Sequence, residues 1–323
     1  MKITYMNAMR DAIAEEMRIN PNIIYLGEGI AERGGCYGQS KNLWQEFGRL
    51  RVIDTPISEN GFTAFAIGAA VGGLFSIVDI MFGDILFEIM SPLCQQAAKL
   101  SYMSRGSLSV PMLVRVQIGA KTMGPHHSGS LYPICMHIPG LNVIIPSNPY
   151  DAKGLMKTAL KSKDPVIMFE NKFLYSMRSD IPDEEYSIPF GQANIVQNGH
   201  DVTVVAISSM VSRVAEAVQT GRISGSVEII DPRTLVPLDS QTIINSVRKT
   251  GRLVIVEESH LTCGAGAEII ARVCEEAMSS MKSPFARIAA ADVPNPYAPV
   301  LENAILPTME KIINAINHVL EVK

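Results

Sequence analysis

At 323 residues the chain is long enough for about two domains, and 47% hydrophobic against 19% charged residues leaves ample apolar material for buried cores. The net charge of −4 gives no electrostatic ground for nucleic acid as a partner. No apolar run reaches the roughly 18–20 residues that a bilayer span needs, since the longest candidate, residues 65–81, is broken by Gly68, Gly72 and Gly73 and carries Asp79.

The N-terminus has no basic stretch followed by an apolar core, so no secretory signal is expected. Cys36, Cys94, Cys135, Cys263 and Cys274 are scattered and form neither a CxxC pair nor a zinc spacing. Reduced thiols in the cytoplasm are the expectation.

In chain order, residues 6–17 read as a helix and 22–26 (NIIYL) as a strand. A helix is expected over 61–73, a strand over 76–82 (SIVDIMF) and a helix over 86–103. Strands follow at 112–116 (MLVRV) and 142–145 (NVII), a helix at 150–160 and a strand at 166–169 (VIMF). Continuous apolar strands alternating with helices indicate a parallel sheet covered on both faces. Residues 176–186 (SMRSDIPDEEY) are polar and acidic and suit a linker. A second βα series then runs through strands at 201–207, 227–230 and 253–257 and helices at 210–218, 239–247 and 265–278, with Asp239 as an N-cap. An amphipathic helix over 306–320 closes the chain. The expected class is therefore α/β, with one domain over residues 1–180 and a second over 190–323.

Three places could carry chemistry. Glu59, in the run Asp54-Thr55-Pro56-Ile57-Ser58-Glu59-Asn60-Gly61, falls between a short apolar strand and a Gly/Ala-rich helix. Loops leaving strands bind ligands in open α/β sheets, although a carboxylate at a helix start also serves as a plain cap. His126 and His127 lie in a glycine-containing loop after the strand at 112–116. Adjacent histidines point apart and lack a zinc spacing, so acid–base or substrate contact is the functional alternative to a solvated loop. Gly264-Ala265-Gly266 opens a helix and could cradle phosphate or form a tight turn.

The stretches LGEGI, RVIDTPISENGFTAFAIGAAVGGL, PHHSGSL, HIPGLNVIIPSNPYDAKGLMKTAL, DPVIMFENKFLY, VEIIDPRTLVPLD and DVPNPYAP occur in this order along nearly the whole chain. In them the sequence resembles the beta subunit of the decarboxylating component of thiamine-diphosphate-dependent 2-oxoacid dehydrogenases, of the pyruvate, branched-chain and acetoin type. The resemblance implies a transketolase-like fold, with an N-terminal parallel-sheet pyrimidine-binding domain and a smaller C-terminal three-layer α/β domain. It implies thiamine diphosphate as cofactor, with magnesium held mainly by an alpha subunit in an α2β2 assembly, and a lipoyl-domain protein as acceptor. The alpha subunit's GDG motif is absent here, where the Gly-Asp pair is Gly83-Asp84 followed by Ile85.

Carried onto matching positions, the resemblance makes Glu59 the residue that hydrogen-bonds the cofactor's aminopyrimidine. It gives Ile57 a backbone contact to the same ring and makes His127, with His126 beside it, the substrate or acceptor group. Met112, Ala159, Leu160 and Asp164 fall where some members hold potassium through backbone carbonyls, with Ser162 replacing a common aspartate. Ile85 replaces an aromatic residue that stacks on the pyrimidine, Ser91-Pro92 replaces an Asp-Gln pair, and Gly129 replaces a glutamine. The proline is expected to kink or restart its helix. The leading expectation is decarboxylation of a 2-oxoacid and transfer of the acyl unit to a lipoyl carrier. The alternatives are a split transketolase-like enzyme moving a two-carbon ketol unit between sugars, and an inactive stabilising subunit, which would have no need of Glu59.

Overall fold

The computed structural model describes residues 2–322. A seven-stranded sheet organises the N-terminal half, in the order Thr234–Val236, Asn142–Ile144, Val166–Asn171, Met112–Ile118, Phe75–Ile80, Ile23–Gly27 and Val52–Asp54. All neighbours are parallel except the first pair. The strands read as unbroken apolar runs because both faces are covered. Along each strand successive side chains turn to opposite faces. Leu26, Val78, Val114 and Phe169 enter the core shared with the helix Glu59–Val71. Tyr25, Ile77, Leu113 and Met168 enter the core under Tyr5–Ile19 and Pro149–Ala159.

The second sheet has five strands in the order Ala286–Ala290, Leu253–His260, Val202–Ala206, Val227–Asp231 and Asn194–Gln197, the last antiparallel. Ser240–Thr250, with Asp239 accepting from Thr242 N, and Ala265–Ala277 cover one face. Met210–Gln219 and Met309–Glu321 cover the other. This is a three-layer α/β unit.

The two units are joined more closely than alternation in sequence suggests. Thr234–Val236, from the second half, pairs with Asn142–Ile144 and completes the first sheet. Beside it Leu235 is buried in a core that also holds Ile145, Phe169 and Ile243; burying such a side chain contributes about 2 kcal/mol.

Two expectations need correction. Part of the expected linker, Arg178–Asp180, is a strand paired antiparallel with Lys2–Thr4. Pro92 restarts its helix, as expected. The chain continues from Leu86–Ser91 through a π-helical turn, Pro92–Ala97, into Ala98–Met103, the wider turn accommodating the residue that cannot donate to the ladder. The C-terminal helix, expected over residues 306–320, starts at Met309 and buries Ile312, Ile313, Ile316 and Val319 within its own domain.

Candidate active site

The expected site residues gather at the C-terminal ends of the parallel strands, where the backbone leaves the sheet and side chains face an open edge. Val52–Asp54 leads to Glu59, the first residue of the helix Glu59–Val71. Phe75–Ile80 leads to the short turn Gly83–Ile85. Met112–Ile118 leads to the loop carrying His126 and His127.

Glu59 is half-buried. Its carboxyl hydrogen-bonds the side chain of Glu28, which follows the strand Ile23–Gly27. Burial, then the Glu59 charge and that hydrogen bond, raise the pKa of Glu28 above the usual glutamate value. The protonated form of Glu28 is favoured there, because burial and a neighbouring carboxylate both penalise its charge. A cavity of about 390 Å³ opens on the loop that leads to Glu59, lined by Leu26, Asp54, Thr55, Ser58, Phe62 and Phe65, with neither carboxyl of the pair in its lining. Thr55 Oγ1, in that lining, and Glu28 Oε1 are buried without a hydrogen-bond partner. A ring bearing both donors and acceptors fits such a set. Ile57 turns its side chain outward, 84% exposed. Ile85 is half-buried against the core.

The segment from Gly83 onward links the two halves of this edge. Asn60 Nδ2 donates to Glu88 O at 3.2 Å, tying the Glu59 helix to the helix Leu86–Ser91. Asp84 Oδ2 accepts from Ser128 N at 3.0 Å and Gly129 N at 2.8 Å. Glu59, Ile85 and the His127 loop are therefore mechanically connected, although they lie far apart in sequence.

The two histidines diverge. His126 is exposed, whereas His127 is half-buried with its ring edge-on to Phe82 at 4.5 Å. Lys172, at the end of Val166–Asn171, donates to His127 O and lies 5.3 Å from the Phe82 ring centroid. Burial pushes its ammonium down to about 8, against the attraction of Glu258, Asp84 and Glu302.

The second domain braces the same loop. Glu258 Oε1 accepts from Ala120 N at 2.8 Å, and Glu302 Oε2 accepts from Thr122 N at 2.6 Å. Glu257 accepts from Tyr132 OH at 3.1 Å, from Ala265 N at 3.1 Å and from Gly266 N at 2.8 Å. That decides between the two readings of Gly264-Ala265-Gly266. The helix N-terminus holds the chain's own carboxylate, and a Cβ on Gly264 would stand 2.6 Å from Glu257 Oε1. The glycines make room for Glu257, and the N–H groups a phosphate would need are taken.

Of the four carbonyls expected around potassium, Ala159 O accepts from Ser162 N at 3.1 Å and Asp164 O from the Ser162 hydroxyl at 2.9 Å. Ser162 thus already uses two of them. A larger cleft of about 780 Å³ lies between the domains and shares Ser130 and Leu131 with the histidine loop, but Glu59, His126 and His127 are not among its lining residues.

Sequence reasoning passed over Glu28, Asp84, Lys172, Glu257 and Glu258 as site residues. Each lies in or just beyond the C-terminal end of a strand, a signal the sequence carries. The partner each one meets is distant along the chain and is not readable from spacing.

Residues 1–177 match the family model described as transketolase, pyrimidine binding domain, and residues 191–312 match transketolase, C-terminal domain. The chain is 39% identical to the acetoin:2,6-dichlorophenolindophenol oxidoreductase subunit beta of Bacillus subtilis, over 97% of this chain and 95% of the relative. It is 40% identical to the pyruvate dehydrogenase E1 component subunit beta of Rhizobium meliloti, over 98% of this chain and 70% of the relative. A solved structure described as split gene transketolase, inactive beta4 tetramer, superposes with a TM-score of 0.81 over 99% of both chains at 17% identity, which is a likeness of fold.

Proposed function

This chain belongs to the family of beta subunits of thiamine-diphosphate-dependent 2-oxoacid dehydrogenases, and from that premise we propose that it forms the pyrimidine half of an active site completed by an alpha subunit, where a 2-oxoacid is decarboxylated and its acyl unit passed to a lipoyl carrier. The observation that carries the reading is Glu59, at a helix start on the open sheet edge with its carboxyl against that of Glu28. Thiamine diphosphate, when bound, supplies the carbon nucleophile that attacks the 2-oxo carbon and accepts the electron pair released with carbon dioxide.

The residues of this chain do the rest. Glu59 would hold the aminopyrimidine by a hydrogen bond between its carboxyl and a ring nitrogen, and Ile57 through its backbone. Ile85 would fill the space against the ring face, with less stacking energy than an aromatic side chain. Glu28 offers a second carboxyl through which a proton reaches or leaves Glu59. His127, steadied by Phe82 and Lys172, would meet the substrate or the acceptor, with His126 beside it.

Two observations support a separate subunit for the diphosphate and its magnesium. The Gly-Asp pair of this chain is followed by Ile85 and not by a second glycine, and Asp84 Oδ2 is engaged by Ser128 N and Gly129 N. The flank of the Glu59 helix also carries exposed apolar surface, with Phe65 59% and Phe87 58% exposed and open space around Gly68. Burying such surface is what an obligate partner does.

The test is to purify the chain with an alpha-type subunit and screen 2-oxoacids against ketose phosphates with thiamine diphosphate and magnesium. Carbon dioxide release from a 2-oxoacid, with acyl transfer to a lipoyl domain, is the expected outcome. Turnover restricted to ketose phosphates would replace this reading with the split-transketolase one. Glu59→Gln should greatly slow proton exchange at the cofactor's reactive carbon in a folded complex.

A further inference from the structure

The loop bearing His127 is gripped from two sides at one point. On its N–H side the Asp84 carboxylate takes the backbone donors of both Ser128 and Gly129. On its carbonyl side the Lys172 ammonium donates to His127 O. Opposite charges therefore flank one peptide segment, His127–Gly129, each making a charge-assisted hydrogen bond of the stronger kind. Both groups are secured in turn. Lys172 is fully buried and lies near the Phe82 ring that also touches His127. Asp84 sits in the turn Gly83–Ile85, and that turn continues into the helix tied to Asn60.

The glycines around this grip have a shared reason. A Cβ on Gly129 would stand 2.5 Å from Asp84 Oδ1, and a Cβ on Gly83 would overlap Gly129 O. Backbone meets backbone here, and the carboxylate occupies the direction in which a side chain at 129 would project. The glycine at 129 therefore adds no room to the substrate cavity. It admits Asp84.

We infer that Asp84 and Lys172 are positioning residues for His127, and that Gly129 lacks a side chain in order to let the Asp84 carboxylate reach the loop. The inference rests on the reading of His127 as a group that meets the substrate or acceptor. It gives the glycine at 129, a departure from the family pattern, a role in loop geometry. It also connects the wall at Ile85 to the histidine, because the residue that pins the loop immediately precedes Ile85.

The experiment uses the complex with the alpha subunit and the 2-oxoacid that it turns over best, and reads kcat and KM together with proton exchange at the cofactor's reactive carbon. His127→Ala alone tests the underlying reading, and an unchanged kcat/KM in that variant removes both that reading and this inference. Given a loss on His127→Ala, Asp84→Ala and Gly129→Ala should each lower kcat/KM by about 10- to 100-fold, the scale of a displacement on the order of 1 Å, with cofactor proton exchange unchanged. In a His127→Ala background, Asp84→Ala should cost less than about twofold, because groups acting as a unit are not additive. A general structural defect would cost the same in both backgrounds. Asp84→Asn keeps an acceptor oxygen, should fall between Asp84→Ala and the unmodified chain, and carries the test with Gly129→Ala if Asp84→Ala does not fold. Full additivity, or a kcat/KM unchanged in Asp84→Ala and Gly129→Ala, overturns the inference.

Discussion

The carboxyl of Glu28 hydrogen-bonds that of Glu59, joining the end of one parallel strand to the start of a helix 31 positions later. Burial and the Glu59 charge raise the pKa of Glu28, so the folded chain keeps a proton that the unfolded chain releases. Stability therefore falls as pH rises from the ordinary glutamate value through the raised one. Glu28→Gln removes this dependence. The variant should melt higher than the unmodified chain at pH 7.5 and nearly alike at pH 4.5, and scanning calorimetry across that range measures the difference. At the same time it should slow cofactor proton exchange, since Gln cannot relay a proton to Glu59. A variant that melts alike at both pH values would mean that the pair holds no extra proton.

Lys172 gives the opposite dependence at alkaline pH. Its folded value, pushed down to about 8 by burial, lies below that of an unfolded lysine. From about 8 upward the unfolded chain binds the proton and the folded chain does not, so this group makes stability rise with pH until the unfolded lysine titrates. Glu258, Asp84 and Glu302 face the ammonium and oppose the shift, while Lys121 adds to it. Lys172→Met should abolish this alkaline contribution, leaving a flatter melting temperature between pH 8 and 10 than in the unmodified chain. An unchanged slope would place the ammonium in contact with solvent.

Much of the scaffold was legible because periodicity is a local property. The apolar runs at Ile23–Gly27, Phe75–Ile80 and Met112–Ile118 announce buried parallel strands, and Asp239 announces its helix. Glu59 was legible as a carboxylate at a helix start. What failed were features made by distant partners. Thr234–Val236 is a three-residue strand whose register is set by Asn142–Ile144, some 90 positions away. Arg178–Asp180 looks like a linker by composition and is a strand because Lys2–Thr4 lies beside it. Gly264-Ala265-Gly266 supports either a phosphate cradle or a tight turn until Glu257 is seen in it.

Glu257 supplies the third prediction. It is buried, and its two oxygens accept from Tyr132, Ser259, Ala265 and Gly266. Removing it leaves several buried donors unpaired, at about 1–3 kcal/mol each where no water replaces it. Glu257→Ala should destabilise the chain by about 3 kcal/mol or more, read from urea unfolding. Gly266→Ala probes the same contact from the other side, because its Cβ would stand 2.8 Å from Glu257 Oε1. Both variants should loosen the contact between Tyr132 and the second domain, visible as faster amide exchange in Tyr132–Met136. A Glu257→Ala chain as stable as the original would show that water takes the carboxylate's place.

Phe65 lies on the Glu59 helix and lines the cavity that also takes in Ser58 and Phe62, yet is 59% exposed. Phe87 and Ile57, on neighbouring segments, are exposed to 58% and 84%. A cofactor needing a dry site cannot work in so open an edge, because the hydrogen bond from Glu59 is strong only where water is excluded. If an alpha subunit closes that edge, Phe65→Glu places a charge in the interface while costing the isolated chain little, since the side chain gives up little burial of its own. The variant should keep the melting temperature of the isolated chain and lose co-purification with the alpha subunit on size exclusion. Retention of a full-size complex with normal activity would move the interface away from the Glu59 helix.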